Sequence, residues 1–258
     1  MTENIPTYPD LVGKVAVVTG GSGGIGAATC RLLAASGAKV VVNGRDEAKI
    51  GAVVGGIQAD GGQAIGVAAD VTDFAAIERM RERVKEELGP VDVLAAFAAS
   101  GGPPPGPTAQ ITEEEWRSAI EGNLTSTFLT LKSFLPGMIE RKSGSIVTMA
   151  SSAGRVLTPA PTAYAAAKAG VVMLSQQVAS EVGNHGVRVN CLAPDTILTE
   201  RTQCFMTEDQ QQQWAAMFPL GRLGMPEDVA LATLFLASES SSWLTGITLD
   251  VAGGKIML

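Results

Sequence analysis

The stretch Thr19-Gly20-Gly21-Ser22-Gly23-Gly24-Ile25-Gly26-Ala27-Ala28 follows directly on Lys14 and the apolar run Val15-Ala16-Val17-Val18. Glycines in such a loop permit a tight turn and close backbone approach. A helix opening at its end offers unpaired N–H groups and a positive dipole end to a pyrophosphate. Two registers fit, Gly20-x-x-x-Gly24-x-Gly26 and Gly21-x-Gly23-x-x-Gly26. Between a strand and a helix the loop reads as a dinucleotide-binding turn, with a plain glycine-rich turn as the alternative. The candidate contacts are Gly20, Ser22, Gly23, Gly24, Ile25 and Gly26.

Outward from this loop, short Val- and Ala-rich runs alternate with helix-period segments, the pattern of a parallel sheet covered on both faces. Strands are expected at 14–19, 39–42, 64–68, 91–98, 144–149, 187–192 and 247–251. In the segment 72–88, Phe74, Ile77, Met80, Val84 and Leu88 recur every three or four positions and mark one buried helical stripe. Thr112 with Glu115, and Thr207 with Gln210, have the spacing of capping boxes. The fold expected is α/β: one doubly wound domain over 1–258, its mostly parallel seven-stranded sheet flanked by helices. The biased stretch at 101–107, Gly-Gly-Pro-Pro-Pro-Gly-Pro, reads as a stiff loop after the fourth strand.

Composition agrees with one large core, since 46% of the 258 residues are hydrophobic and 17% charged. The net charge of −7 and the scatter of Lys and Arg argue against a nucleic-acid partner. The first ten residues lack the basic and apolar regions of a secretory signal, and no run reaches a membrane span, so a soluble, cytoplasmic protein is expected. Cys30, Cys191 and Cys204 are odd in number and widely spaced, which points to neither a disulfide framework nor a zinc site. The single His185 falls in a turn-like Gly-Asn-His-Gly. No metal is expected.

The chemistry concentrates in Tyr164-Ala165-Ala166-Ala167-Lys168, preceded by Ser151. Residues at i and i+4 share a helix face, so a Lys ammonium beside a phenol favours its ionised form. An unperturbed tyrosine, titrating at about 10, is otherwise too weak an acid for proton transfer near neutrality. Taken alone, the pair also fits an exposed helix face with a half-buried ring. At the end of the second strand the chain reads Val42-Asn43-Gly44-Arg45-Asp46, with small Gly44 where an acid would bind an adenosine ribose hydroxyl. Arg45 can pair with a 2′-phosphate, which favours NADP(H) over NAD(H). The plainer reading of Arg45 is a solvated charge beside Asp46.

Taken together, the glycine motif at 19–26, Asp70-Val71, Asn123, Ser151, Tyr164-x-x-x-Lys168 and Pro194 resemble the short-chain dehydrogenase/reductase family over nearly the whole chain. The resemblance implies a Rossmann-type fold, a nicotinamide cofactor and reversible interconversion of an alcohol and a carbonyl. By that resemblance Tyr164 is the general acid and Ser151 holds the substrate oxygen. Lys168 binds the nicotinamide ribose and assists the tyrosine, and Asn123 supports a water linking Lys168 to solvent. Asp70 and Val71 would touch the adenine, Phe97 and Ala98 would present backbone groups to the cofactor, and Pro194, Ile197 and Thr199 would flank the nicotinamide end. Ser151 is chosen over Ser152 because it stands thirteen residues before Tyr164 and three before Gly154.

Two departures stand out. The family usually carries Asn-Asn-Ala-Gly where this chain has Ala96-Phe97-Ala98-Ala99, so amide side chains that tie the central strands are absent. After Pro194 the family usually has Gly and this chain has Asp195, which could contact substrate, repel an acidic one or face solvent. The segment 195–220, with Cys204, Phe205, Met206, Trp214, Met217 and Phe218, reads as a substrate lid, or alternatively as a core or partner-facing surface. The function expected is an NADP(H)-dependent ketoreductase similar to 3-oxoacyl-thioester reductases, acting on a small-molecule carbonyl or alcohol. The alternatives are an NAD-linked alcohol or sugar dehydrogenase, and a non-catalytic dinucleotide-binding sensor or scaffold. The resemblance also implies a homotetramer.

Overall fold

Strands that are covered on both faces must be apolar at consecutive positions, and the Val-rich runs of this chain meet that demand. The computed structural model describes residues 8–100, 102, 104–204 and 206–257. Gly101, Pro103 and Phe205 lie outside the described residues, as do most of the first ten. The described chain alternates strands and helices: β1 (Val15–Thr19), α1 (Gly24–Ala35), β2 (Lys39–Gly44), α2 (Glu47–Ala59), β3 (Gln63–Ala68) and α3 (Phe74–Glu87). There follow β4 (Val93–Ala96), α4 (Glu113–Ile120), α5 (Ser126–Arg141), β5 (Gly144–Met149), α6 (Thr162–Val182) and β6 (Val187–Pro194). The last elements are α7 (Glu200–Gln203), α8 (Glu208–Ala215), α9 (Pro226–Ala237) and β7 (Thr248–Val251).

All seven strands pair in parallel in the order β3-β2-β1-β4-β5-β6-β7. Alternate side chains enter opposite layers. Val18, Val40 and Val42 pack with Cys30 and Leu33 of α1 and with Val229 and Leu234 of α9. Val15, Val17 and Val41 pack with Ile77, Met80 and Val84 of α3, with Leu131 and Phe134 of α5, and with Val178 and Val182 of α6. The order in which successive strands are added switches direction between β1 and β4, which leaves a crevice at their carboxyl ends.

Two strand ends run past the expected limits. β2 continues through Gly44 because Asn43 and Gly44 pair with Val67 and Ala68, and β6 continues to Pro194 opposite Val251. The fourth strand is shorter than expected and stops at Ala96, beyond which the Phe97 and Ala98 amides turn to the Thr19 hydroxyl. Both capping boxes form, Thr112 with Glu115 and Thr207 with Gln210.

Two local features position the helices that flank the crevice. Between α4 and α5 the helix widens into a π-turn over Glu121–Thr125, which carries Asn123 inward. The turn after β5 lies so close to α6 that a Cβ on Gly154 would fall 2.6 Å from the backbone of Lys168 and Ala169. Only glycine allows that approach, and it fixes the separation between the Ser151 turn and the helix bearing Tyr164 and Lys168. Among the described residues, no helix is long and apolar enough to cross a membrane.

Candidate active site

Every element that the sequence marks for chemistry ends at the carboxyl edge of the sheet. In the glycine loop a Cβ on Gly26 would overlap the carbonyl oxygen of Gly20, so the helix α1 can start tight against the loop. The Gly21 amide donates to the Asn43 carbonyl (2.8 Å), which fixes the loop on the end of β2. One cleft brings Gly20 and Ser22 together with Arg45, Asp70, Val71 and Ala98. Asp70 accepts from the Thr72 amide (2.9 Å) and hydroxyl (2.8 Å) and faces Arg45 at 3.8 Å. The two Thr72 donors, with Arg45 contributing less, hold the Asp70 carboxyl below its usual range.

Asn43 belongs to this cleft and was not singled out by the sequence reading. It is buried; its Nδ2 donates to the carbonyls of Val67 and Ala69 (both 3.1 Å), while Oδ1 has no hydrogen-bond partner. The signal for it was present, as a lone amide closing a run of valines.

At β4 the amide side chains of Asn-Asn-Ala-Gly are indeed absent, and the tie between the central strands comes from β1 instead. The Thr19 hydroxyl, 1% exposed, accepts from the amides of Phe97 (3.0 Å) and Ala98 (3.1 Å). A side chain from β1 thus does the tying that amides on β4 would otherwise do. It also occupies those two N–H groups.

Tyr164 and Lys168 lie together on α6, the turn that begins at Ser151 packs against that helix through Gly154, and Asn123 bonds Ser100, which lines the cleft. Lys168 is 2% exposed, and its ammonium donates to the Met149 carbonyl at 2.9 Å. It lies 5.6 Å from the centroid of the half-buried Tyr164 ring, as the i, i+4 spacing requires. Burial lowers the Lys168 ammonium to about 8, with the neighbouring Cys191 opposing the shift. Asn123 is fully buried; its Nδ2 donates to the Ala119 carbonyl (2.8 Å) and the Ser100 hydroxyl (3.2 Å), and Oδ1 has no partner. Ser151 begins the short turn before α6, and its Oγ accepts from the Ala153 amide at 3.2 Å. Ser152 is buried and faces Asp195, so of the adjacent serines Ser151 is the more accessible. A buried ammonium beside a phenol, with a hydroxyl on the neighbouring turn, can pass a proton to an oxygen held between them.

Past β6, the Ile197 side chain sits in the core beside Gly224, so only its main chain is available to a ligand. Thr199 caps α7 and sets its methyl group against Gly24 of the glycine loop. Asp195 does not face solvent. Its side chain is 5% exposed and pairs with Lys255 at 3.1 Å. Burial raises its carboxyl, but Ser152, Lys255 and the Thr196 donors outweigh burial and hold it below the usual range. Among the described residues, no group of three or more His, Cys, Asp and Glu side chains converges on a metal site.

Comparison with known proteins agrees with this arrangement. The family described as enoyl-(acyl carrier protein) reductase, of the short-chain alcohol dehydrogenase type, matches residues 20–255. The chain belongs to the short-chain dehydrogenase/reductase family. Within this family it is similar to the 3-oxoacyl-(acyl-carrier-protein) reductase FabG of Escherichia coli (strain K12), 38% identical over 246 residues covering 95% of this chain and 98% of that one. The FabG of Vibrio cholerae serotype O1 is 39% identical over 253 residues, covering 96% and 100%. A crystal structure assigned as a gluconate dehydrogenase of Agrobacterium tumefaciens superposes with a TM-score of 0.92 at 29% identity, covering 98% of this chain and 100% of that one. As a short-chain dehydrogenase/reductase, the protein is an oxidoreductase that works between an alcohol and a carbonyl with a nicotinamide dinucleotide.

Removing the Thr19 hydroxyl tests the tie between β1 and β4. Thr19→Val keeps shape but leaves the Ala98 amide without its acceptor and the Phe97 amide with only the Ala95 carbonyl, and should lower unfolding free energy by about 1–3 kcal/mol. Thr19→Ser should retain most of the stability, with urea denaturation measuring both.

Proposed function

We propose that the protein reduces a ketone of the 3-oxoacyl-thioester type to its secondary alcohol, with NADPH as reductant. The observation that carries the NADPH preference is the contact between Gly44 and Ser22. A Cβ at Gly44 would lie 2.6 Å from the Ser22 hydroxyl, so no acidic side chain fits at the place where one would bind a ribose hydroxyl. Arg45, whose side chain is 80% exposed, stands at the same edge with Asp70 on its far side and is available to a phosphate. The cleft suits a dinucleotide on its own geometry, because the loop from Gly20 to Gly26 carries side chains only at Ser22 and Ile25 and the Asn43 Oδ1 acceptor remains unpaired. The loop from Gly20 to Gly26 would hold the pyrophosphate, Asp70 and Val71 would flank the adenine, and Pro194, Ile197 and Thr199 would flank the nicotinamide end. The 3-oxoacyl assignment is supported by the FabG relatives, whose names state that substrate.

The bound dinucleotide supplies the reducing equivalent to the carbonyl carbon. The Ser151 hydroxyl donates a hydrogen bond to the substrate oxygen and orients it. Tyr164 delivers its phenolic proton to that oxygen as negative charge develops there. The Lys168 ammonium, buried and anchored on the Met149 carbonyl, stabilises the charge left on the phenol. Asn123 offers its unpaired Oδ1 to a water that connects the lysine with solvent and allows the proton to be replaced. The segment 195–220 covers the substrate as a lid. The protein works as a tetramer, supported by the exposed apolar residues Trp116, Phe128 and Met173 on α4, α5 and α6.

Three measurements test this function. In parallel fluorescence titrations the protein should bind NADPH more tightly than NADH, and Arg45→Ala should weaken NADPH about tenfold while leaving NADH nearly unchanged. Equal affinities would make Arg45 a bystander and favour an NAD-linked dehydrogenase. Tyr164→Phe should retain dinucleotide binding and lose about 10²–10⁴-fold in kcat/KM on a 3-oxoacyl thioester; substantial residual turnover would assign the acid elsewhere. Light scattering at micromolar concentration should return the mass of a tetramer, and a monomer would remove assembly through these helices.

A further inference from the structure

Lys255, four residues after β7, joins parts of the chain that sequence separates widely. Its ammonium lies 3.1 Å from Asp195 Oδ1, 4.9 Å from the ring centroid of Phe218 and 5.8 Å from that of Trp214. Asp195 is the first residue beyond β6, and Trp214 stands on α8. One cation thus touches both ends of the segment 195–220. The backbone follows the same path, since the Leu220 amide donates to the Gly253 carbonyl at 3.2 Å and the Asp195 amide to the Val251 carbonyl at 3.2 Å.

Three observations give this contact weight. First, α8 contains no buried residue, so it lacks the apolar anchoring that fixes the other long helices, and a single contact matters more for it. Second, the Asp195 side chain is 5% exposed, so its pairing with Lys255 is screened far less than an ordinary surface ion pair. Third, Asp195 Oδ1 receives the Thr196 amide (2.8 Å), the Thr196 hydroxyl (3.0 Å) and Lys255, with the neutral Ser152 hydroxyl facing the same carboxylate. Without Lys255, the carboxylate would keep its burial and lose its only cation among the described residues. The aromatic rings in turn favour a cation at this point, because its charge lies near their π faces.

We propose that Lys255 is a positioning residue: with Asp195 it clasps Trp214 and Phe218 down, and so sets how firmly the substrate pocket is covered. Asp195 is where this chain departs from its family's usual glycine, so the clasp belongs to this chain's own pocket. The cation neutralises the carboxylate there, which leaves the pocket open to acidic and neutral substrates alike. The proposal rests on reading 195–220 as the substrate lid.

The test compares Lys255→Met, which keeps the stem length and removes the charge, with Lys255→Arg, which keeps the charge, and with Asp195→Asn. Backbone hydrogen exchange over residues 206–218 is measured on the protein alone, without dinucleotide or substrate, and steady-state kinetics are measured on a 3-oxoacyl thioester. Lys255→Met and Asp195→Asn should speed exchange in this segment about fivefold and raise KM by a similar factor with kcat within about twofold, while Lys255→Arg stays close to the parent on both. Unchanged exchange in Lys255→Met overturns the clasp whatever the kinetics show. Faster exchange with unchanged KM establishes the clasp and overturns the lid assignment instead. If the parent reduces no 3-oxoacyl thioester, the substrate assignment fails, and the exchange data still decide the clasp.

Discussion

A lysine ammonium held almost entirely out of water is the constraint around which the Ser151, Tyr164 and Asn123 side of this protein is organised. Burial of an isolated ammonium is costly, and Lys168 meets that cost with the Met149 carbonyl at the end of β5 and the tyrosine ring one helical turn away. The arrangement works only if α6 lies hard against the turn after β5. Gly154 makes that approach possible, and the small residues Ala163 and Ala167 continue it along the helix, both fully buried. Placement of Ser151 opposite Tyr164 is a consequence of the same packing. Loss of the close approach would therefore disturb the hydroxyl, the phenol and the ammonium together.

The cofactor half depends on a different principle, the sharing of main-chain groups across the point where the sheet reverses. Thr19 ends β1 and takes the amides that β4 leaves over, Asn43 stands one residue before the end of β2 and donates to carbonyls at the end of β3 and just beyond it, and the glycine loop hangs on the Asn43 carbonyl. These are short polar side chains at strand ends, each bridging to a neighbouring strand. They hold the floor of the crevice rigid and leave its upper surface to a ligand.

Much of this was legible in the sequence, for physical reasons that also mark the limits. Consecutive valines specify buried parallel strands, so all seven strands and the helix over Phe74–Glu87 could be placed from periodicity. Strand ends could not be, because Gly44 and Pro194 pair only by virtue of partners far along the chain. The Tyr164 and Lys168 pair was readable because i, i+4 geometry is local. The π-turn at Asn123 was not, since widening of a helix by one residue reflects what lies across from it, here Ser100. The Ala96–Ala99 stretch looked like a loss because its compensation, Thr19, lies more than seventy residues earlier. Asp195 had three open readings for the same reason: its partner Lys255 is sixty residues away.

The distribution of thiols gives this molecule a convenient handle. Cys30 lies beneath the glycine loop and Cys191 beside Lys168; both are buried, and burial raises both thiols so that neither offers a thiolate to a reagent. Cys204 is exposed and sits between α7 and α8, within the segment 195–220 proposed as the lid. A maleimide dye added to the unmodified protein would therefore attach at one site, within the segment 195–220 proposed as the substrate lid. Such a dye would report on the surroundings of that segment without a cysteine being engineered into the chain.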